Sequence, residues 1–477
     1  MTASTKRTAS SRALHHPASL RLHIEAICPE YAALPIKKRA RLAGILQSAM
    51  FRQHRHKLDD SLQVLHHEML RASFGSGGFA RLNDVLGWFA VEILPSNARH
   101  TAAGWRLTDV GQSILDSYLS AVHGAGVGRM EDHDGKPVRS PRSAIASNTV
   151  TGSKSRFRGC SMLAAVDVDG DALEALSQAA EAFLDGKPCP AGSERDFAAW
   201  KAIAADTGTK GGIHKARARA ELVRRQSRYM LEAARQSGVA GFVLPLVYIE
   251  ATSGRLYSEG NPSIQGACRE VKHAALNGCH EYDLENAHYQ ILRQMAPECR
   301  LPAVDTYLSN KSATRQAIAD EARVTIKQAK TVIISLIYGA ELKPFKGCAI
   351  ADEVGVAAAA RICASPTMRA LNADVTAARA AIVEKFSGDH RKGGVVVNTA
   401  GRELTLGSKV KDRHILAHIL QGAESECLRA CMDVAGGALV LPQHDGFASR
   451  VGLDMGKLSN AIRLRTGFDL ELSHEVL

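Results

Sequence analysis

The sequence predicts an α+β protein: a mostly helical N-terminal region, then, from about residue 241, a half that mixes short strands with helices. Three observations predict it. Apolar residues recur at helical spacing across residues 38–70 and 163–205. Residues 124–160, rich in Gly, Ser, Pro and basic residues without apolar periodicity, separate those two stretches as a linker would. Two short runs in the second half, one ending near Asp283 and one ending before Gln443-His444-Asp445-Gly446, read as strands.

Bulk properties narrow the classes. A chain of 477 residues, 45% hydrophobic, is long enough for two or three domains with their own cores. It holds no run of about eighteen apolar residues, so no membrane partner is expected. Ten cysteines form no Cys-x-x-Cys pair, which argues against a zinc ribbon or disulfide scaffold and fits a reducing, cytoplasmic setting. A formal charge of +11 and a pI near 9.2 suggest a polyanionic partner. The excess is local: residues 1–125 hold 15 Lys or Arg against 9 Asp or Glu, and residues 210–235 hold 8 against 2. The first twenty-one residues, with Lys6, Arg7, Arg12 and Arg21 and no acid, read as a basic tail rather than a leader.

The elements follow in order. Residues 38–70 read as a helix with Leu42, Ile45, Leu46 and Met50 on one side, ended by SFGSGGF. In GWRLTDVGQSIL, a strand over Trp105 to Leu107 precedes a helix that Thr108 or Asp109 caps. A winged-helix module has this order, and a small helical domain with a surface hairpin is the plainer alternative. HKARARAELVRRQSRYMLEAARQ, starting at His214, is a basic helix, either a solvated face or one that tracks a phosphate backbone.

Transfer of a nucleotide phosphoryl group calls for two carboxylates that share divalent cations, and for cations on the triphosphate. Four segments supply these parts. In HEYDLENAHYQILRQM, Asp283 ends a strand, the Leu284 carbonyl follows, and a helix begins near Asn286; an N-terminal cap is the plain reading of that Asp. In ARVTIKQAKTVIISLIYGAEL, Arg323, Lys327, Lys330, Ile334 and Tyr338 fall on one helical face, cations at one end and a phenol at the other; a core-facing amphipathic helix is the alternative. In GALVLPQHDGFASRV, Asp445 sits at a hairpin apex, where Asp-Gly also serves a turn for conformational reasons. SGRLYSEGNPSIQG adds Arg255 and Gln265 in a Gly- and Pro-containing loop.

In order, spacing and chemistry these segments resemble family A DNA polymerases and the related phage-type single-subunit RNA polymerases. The Asp283 segment looks like motif A, KTVIISLIYG like motif B and QHDGF like motif C. SGRLYSEGNPSIQ is similar to the Gly-Arg segment before motif A, and LQGAESECLRACM, from Leu420, to the Gln-Gly helix before motif C. The resemblance implies a right-hand polymerase with an antiparallel-sheet palm and helical fingers over residues 241–477. A thumb-like helical region then covers 161–240, a linker 126–160, and a basic N-terminal domain 1–125. It implies that Asp283, Asp445 and the Leu284 carbonyl hold two Mg²⁺ ions, with Mn²⁺ as a substitute. Lys330 is implied as triphosphate ligand and general acid, with Arg323 and Lys327 as further nucleotide contacts and Tyr338 near the templating position. Arg255, Gln265, Gln421 and His444 are implied to touch primer or template.

The departures are specific. Ile326 stands where the DNA-polymerase branch has an Arg four residues before the motif B Lys, and Ile334 stands where an aromatic is expected. Gly446 follows Asp445 where DNA enzymes have Glu and the RNA branch has Ser. His288 stands five residues after Asp283, at the position that gates the ribose 2′-hydroxyl. A bulky imidazole there favours deoxynucleotides, so the expected activity is a small DNA polymerase acting on a primed DNA template with nucleoside triphosphates. No exonuclease carboxylate set is visible before residue 240, as expected of a specialised enzyme of a mobile element, plasmid or phage. A helicase or a single-strand-binding protein would be its natural accessory. A primase or single-subunit RNA polymerase is the alternative within the class, and a DNA-binding replication initiator with a vestigial palm is the alternative outside it.

Overall fold

The computed structural model describes residues 16–51, 55–56, 59–63, 70, 74–75, 77–93, 104–132, 134–137, 162–205, 212–235, 241–259, 263–387 and 393–477. Most of the expected linker at 126–160 lies outside the described residues. The protein is helix-rich α+β, and every strand pairing among the described residues is antiparallel.

In the N-terminal part, the helix Ile36–Phe51 buries Leu42, Ile45, Leu46 and Met50, as their spacing requires. It does not run on to residue 70. Arg52 to Lys57 are six polar residues with nothing to add to the buried stripe, and Arg55–His56 pairs instead with Asp59–Gln63. Strand Gly104–Leu107 pairs with Phe89–Ile93, and Thr108 caps the following helix, its Oγ1 accepting from the Gly111 N–H at 3.2 Å.

The stretch expected to be helical from residue 163 opens with a strand, β1 (Met162–Asp167). Its apolar run LAAV has no polar face to alternate with, and the helix waits for its cap at Asp169, which accepts from the Ala172 N–H at 2.8 Å. The basic helix α1 spans Gly212–Arg235. Its arginines are held internally: Arg219 by Glu270, Arg224 and Arg225 by Glu221 and Asp116, Arg228 by Glu181, and Arg235 by Glu174 and Glu232. These five guanidinium groups are bound to carboxylates, while Arg217 on the same helix is exposed and donates to the Leu184 carbonyl at 2.8 Å.

Strands β2 (Val243–Glu250) and β3 (Leu256–Glu259) continue the sheet that β1 begins, in the order β1-β2-β3. The next strand, β4 (His280–Leu284), leads directly into helix α2 (Ala287–Met295). Helices α3 (Ile326–Ile337) and α4 (Asp412–Ala435) follow, and then the hairpin β5 (Leu439–Pro442) and β6 (Gly446–Ser449), with β7 (Leu472–Val476) at the end. These last strands form a four-stranded sheet ordered β5-β6-β4-β7.

That sheet sits between two hydrophobic cores. Tyr282, Leu284 and Phe447 point into the core built by α2, α3 and α4; Leu441 and Ala448 point into the other, which also takes Leu20, Trp88, Leu115, Val166 and Leu222. Residues on both sides of 126–160 thus share one core. Tyr282 stacks on Phe447 with centroids 5.0 Å apart and planes 15° apart, a contact worth about 0.5–1.5 kcal/mol beyond its buried area. Because successive side chains alternate across a strand, burying Tyr282 and Leu284 leaves Glu281 and Asp283 on the more open face. Among the described residues, no helix is long and apolar enough to cross a membrane.

Candidate active site

The two carboxylates singled out from sequence meet. Asp283 is paired in register with Gly446 across β4 and β6, and the Leu284 N–H donates to the Asp445 carbonyl at 2.7 Å. Asp283 is half-buried and Asp445 is exposed at the mouth of the β5–β6 turn. Burial, then the negative charges of Asp445, Glu285 and Glu281, push the Asp283 carboxyl up to about 8, against a smaller opposing pull from Lys330. Gly446 permits this approach. Its φ lies outside the left-handed region, so turn conformation is not its reason; a Cβ there would lie 2.3 Å from the Tyr282 carbonyl oxygen and 3.2 Å from Asp283 Oδ1.

Helix α3 starts later than the sequence pattern implied. Arg323 adopts φ 53° and closes the preceding helix Lys311–Ala322, so it does not share the face of Lys327 and Lys330. Thr325 and Gln328 form a reciprocal capping box that starts α3, a Thr-x-x-Gln signal legible in the sequence. Ala329, Val332, Ile333, Leu336 and Ile337 bury the opposite face, which leaves Lys327 and Lys330 exposed and Ile334 half-buried. Tyr338 caps the C-terminal end.

Tyr338 then joins a polar cluster that spans four elements. Its hydroxyl lies 2.9 Å from His288 Nδ1, with the rings edge-on. His288 Nε2 lies 3.3 Å from Glu424 Oε1 and 3.2 Å from an Arg255 terminal nitrogen, and Arg255 Nε donates to Glu424 Oε2 at 2.6 Å. The Gln421 side chain lies beside the Tyr338 hydroxyl. Arg255 and Gln421, expected at primer or template, are therefore engaged with this cluster. Gly422, next to Gln421, lets Asn398 lie against α4, where a Cβ would come 2.3 Å from the Asn398 side chain.

Glu424 escaped the sequence reading. An acid in the helical run QGAESE resembles a solvated position, and its burial is set by elements far away in the chain. Gln265 turns inward, accepting from the Ser258 N–H at 3.0 Å and donating to the Leu256 carbonyl at 3.3 Å. The His444 ring packs on Tyr257 at 4.5 Å, with Nδ1 buried and without a hydrogen-bond partner among the described residues. Burial, then Arg255, lowers the His444 pKa against the pull of Asp445. A further group, His273, Glu281 and Glu475, brings ligand-type atoms within 4.8 Å of one another, but Lys272 holds Glu281 and Arg269 lies beside His273 and Glu475.

The donor set at Asp283 and Asp445 fits a hard divalent cation: two carboxylates whose mutual repulsion a cation would relieve, with the Leu284 carbonyl next in the chain. The sign of the pH dependence follows. A carboxyl whose folded-state value is raised contributes stability that is present below about pH 4 and is lost as pH rises through about 8. With a chelator present at pH 8.5, Asp445→Asn is expected to raise the melting temperature by roughly 1–3 °C. Added Mg²⁺ should then stabilise the unsubstituted protein more than the variant, and equal melting curves under both conditions would remove the repulsion.

No family model matches this chain, and no curated protein matches it. Among solved structures it is similar to the POL domain of Pol1 from M. smegmatis in complex with DNA primer-template and dNTP, at 17% identity and a TM-score of 0.41, covering 77% of this chain and 72% of that one.

Proposed function

We propose that this chain is a template-directed nucleotidyltransferase, a small family A-like DNA polymerase without a proofreading exonuclease. The observation that carries the reading is the meeting of Asp283, on β4, with Asp445, in the turn that leads into the neighbouring β6, with Lys330 within electrostatic reach of Asp283. The four-stranded sheet would be the palm, and α3 the fingers helix.

Asp283, Asp445 and the Leu284 carbonyl would hold two Mg²⁺ ions, or Mn²⁺, which when bound polarise the phosphoryl oxygens and activate the primer 3′-hydroxyl. The exposed ammonium of Lys330 lies on the α3 face that α3 does not bury, where it would hold the triphosphate. As the primer oxygen loses its proton to solvent and bonds to the α-phosphorus, the bond from that phosphorus to the bridging oxygen would break and Lys330 would give its proton to the departing pyrophosphate. Lys327 would add positive charge one turn earlier. Arg323 is left as an outer contact at most, since it stands off the helix.

His288 and Tyr338 would form the wall beside the sugar. An imidazole fixed there leaves no room for a ribose 2′-hydroxyl and offers it no free hydrogen-bond partner, which disfavours ribonucleotides.

Primer extension tests the reading. Deoxynucleotides should be incorporated on a primed DNA template with Mg²⁺ and not with a chelator, and His288→Ala should improve ribonucleotide use by about 10-fold or more. Products from an unprimed template would indicate a primase instead. Absence of all incorporation, with duplex binding that ignores metal, would indicate a DNA-binding initiator.

A further inference from the structure

Glu424 is a buried charged group of this site to which no motif gives a role. It lies in the middle of α4, 3% exposed, flanked by Ala423, Ser425 and Cys427, all buried. A lone carboxylate in such a position costs several kcal/mol, so its partners define its purpose. Burial raises its pKa, but His288 and Arg255 together outweigh that and hold it below the usual carboxylate range.

The two oxygens divide the work. Oε2 accepts from Arg255, at 2.6 Å from Nε and 2.5 Å from a terminal nitrogen, and Oε1 faces His288 Nε2 at 3.3 Å. Nε2 also lies 3.2 Å from an Arg255 terminal nitrogen, which can only donate, so pairing with the carboxylate requires the form of the ring with hydrogen on Nε2; in that neutral tautomer Nδ1 accepts from the Tyr338 hydroxyl at 2.9 Å. An imidazole bound at both nitrogens cannot turn without breaking both contacts.

We infer that Glu424 is a positioning residue for sugar choice: its Oε1 clamps His288 Nε2, holds the imidazole against Tyr338, and so fixes the wall that excludes the ribose 2′-hydroxyl. This rests on the polymerase reading above. Arg255 is the counter-charge that lets the carboxylate remain ionised in a buried place.

The test uses the full chain with Mg²⁺ and a primed DNA template. The ratio of kcat/KM for a matched deoxynucleotide to that for its ribonucleotide is measured for the unsubstituted protein, Glu424→Gln, His288→Ala and the double variant. Glu424→Gln is expected to lower the ratio about 10-fold, mainly through a lower KM for the ribonucleotide, and to change nothing further once His288 is Ala. An unchanged ratio in folded Glu424→Gln, or additive losses in the double variant, overturns the clamp and leaves the polymerase intact. An unsubstituted protein that incorporates neither nucleotide overturns the polymerase reading and the clamp with it. Should Glu424→Gln fail to melt cooperatively, Glu424→Asp keeps a charge for Arg255 while withdrawing it from His288. A ratio several-fold lower is then expected, and the unsubstituted ratio in a folded Glu424→Asp overturns the clamp.

Discussion

Asp283→Asn and Asp445→Asn are each expected to lower nucleotide incorporation by about 10³-fold or more while the fold persists. Each replacement keeps the side-chain volume and removes one anionic oxygen from a site whose proposed chemistry depends on divalent cations. Neither side chain is needed for stability: Asp445 is exposed, and Asp283 is disfavoured as an anion by burial and by Asp445 itself. Activity and stability should therefore move in opposite directions, as they do where a site holds like charges together for function. Single-turnover primer extension beside a melting curve reads both. Incorporation within 10-fold of the unsubstituted protein in either variant would remove the shared-cation site.

Gly446→Ala is expected to damage both properties together. Its Cβ would meet the Tyr282 carbonyl oxygen at 2.3 Å and Asp283 Oδ1 at 3.2 Å, and the first is backbone that cannot swing aside. β4 and β6 must then separate, at a cost of about 1–3 kcal/mol typical of overpacking. Since Asp283 sits on one of the strands being forced apart and Asp445 immediately precedes the other, a displacement of about 1 Å should cost on the order of 10²-fold in incorporation even in molecules that remain folded. Gly437→Ala is the matched control, because nothing lies within 4 Å of the Cβ it would gain. If Gly446→Ala behaves like Gly437→Ala in both melting and activity, the close approach of the two strands is not what holds the site together. Any side chain at this position meets the same carbonyl through its Cβ, so Glu or Ser has no more room there than Ala.

Local pattern carried some of these features, and long-range packing the rest. Asp283 at the end of a short strand, the hairpin around Asp445, the Thr108 cap and the exposed row of Lys327 and Lys330 depend on alternation, capping and helical spacing within a few residues, and those are written in the chain. The end of the Ile36–Phe51 helix, the strand at Met162–Asp167 and the place of Arg323 depend on competition between neighbouring elements. The basic helix α1 shows the difference most directly. Its charge is legible residue by residue, but the acids that engage it, Asp116, Glu174, Glu181, Glu221, Glu232 and Glu270, lie mostly in other elements.

By itself, then, the sequence determined which side chains could do chemistry and on what kind of element each stands, since both follow from residue type and short-range periodicity. Only the tertiary structure decided which of them are neighbours. Glu424 and Arg255 are 169 positions apart, and Asp445 and Asp283 are 162 apart. Electrostatic coupling falls off with distance in space and takes no account of distance along the chain, so the raised carboxyl of Asp283 and the clamp on His288 exist only once the two cores have closed around the sheet.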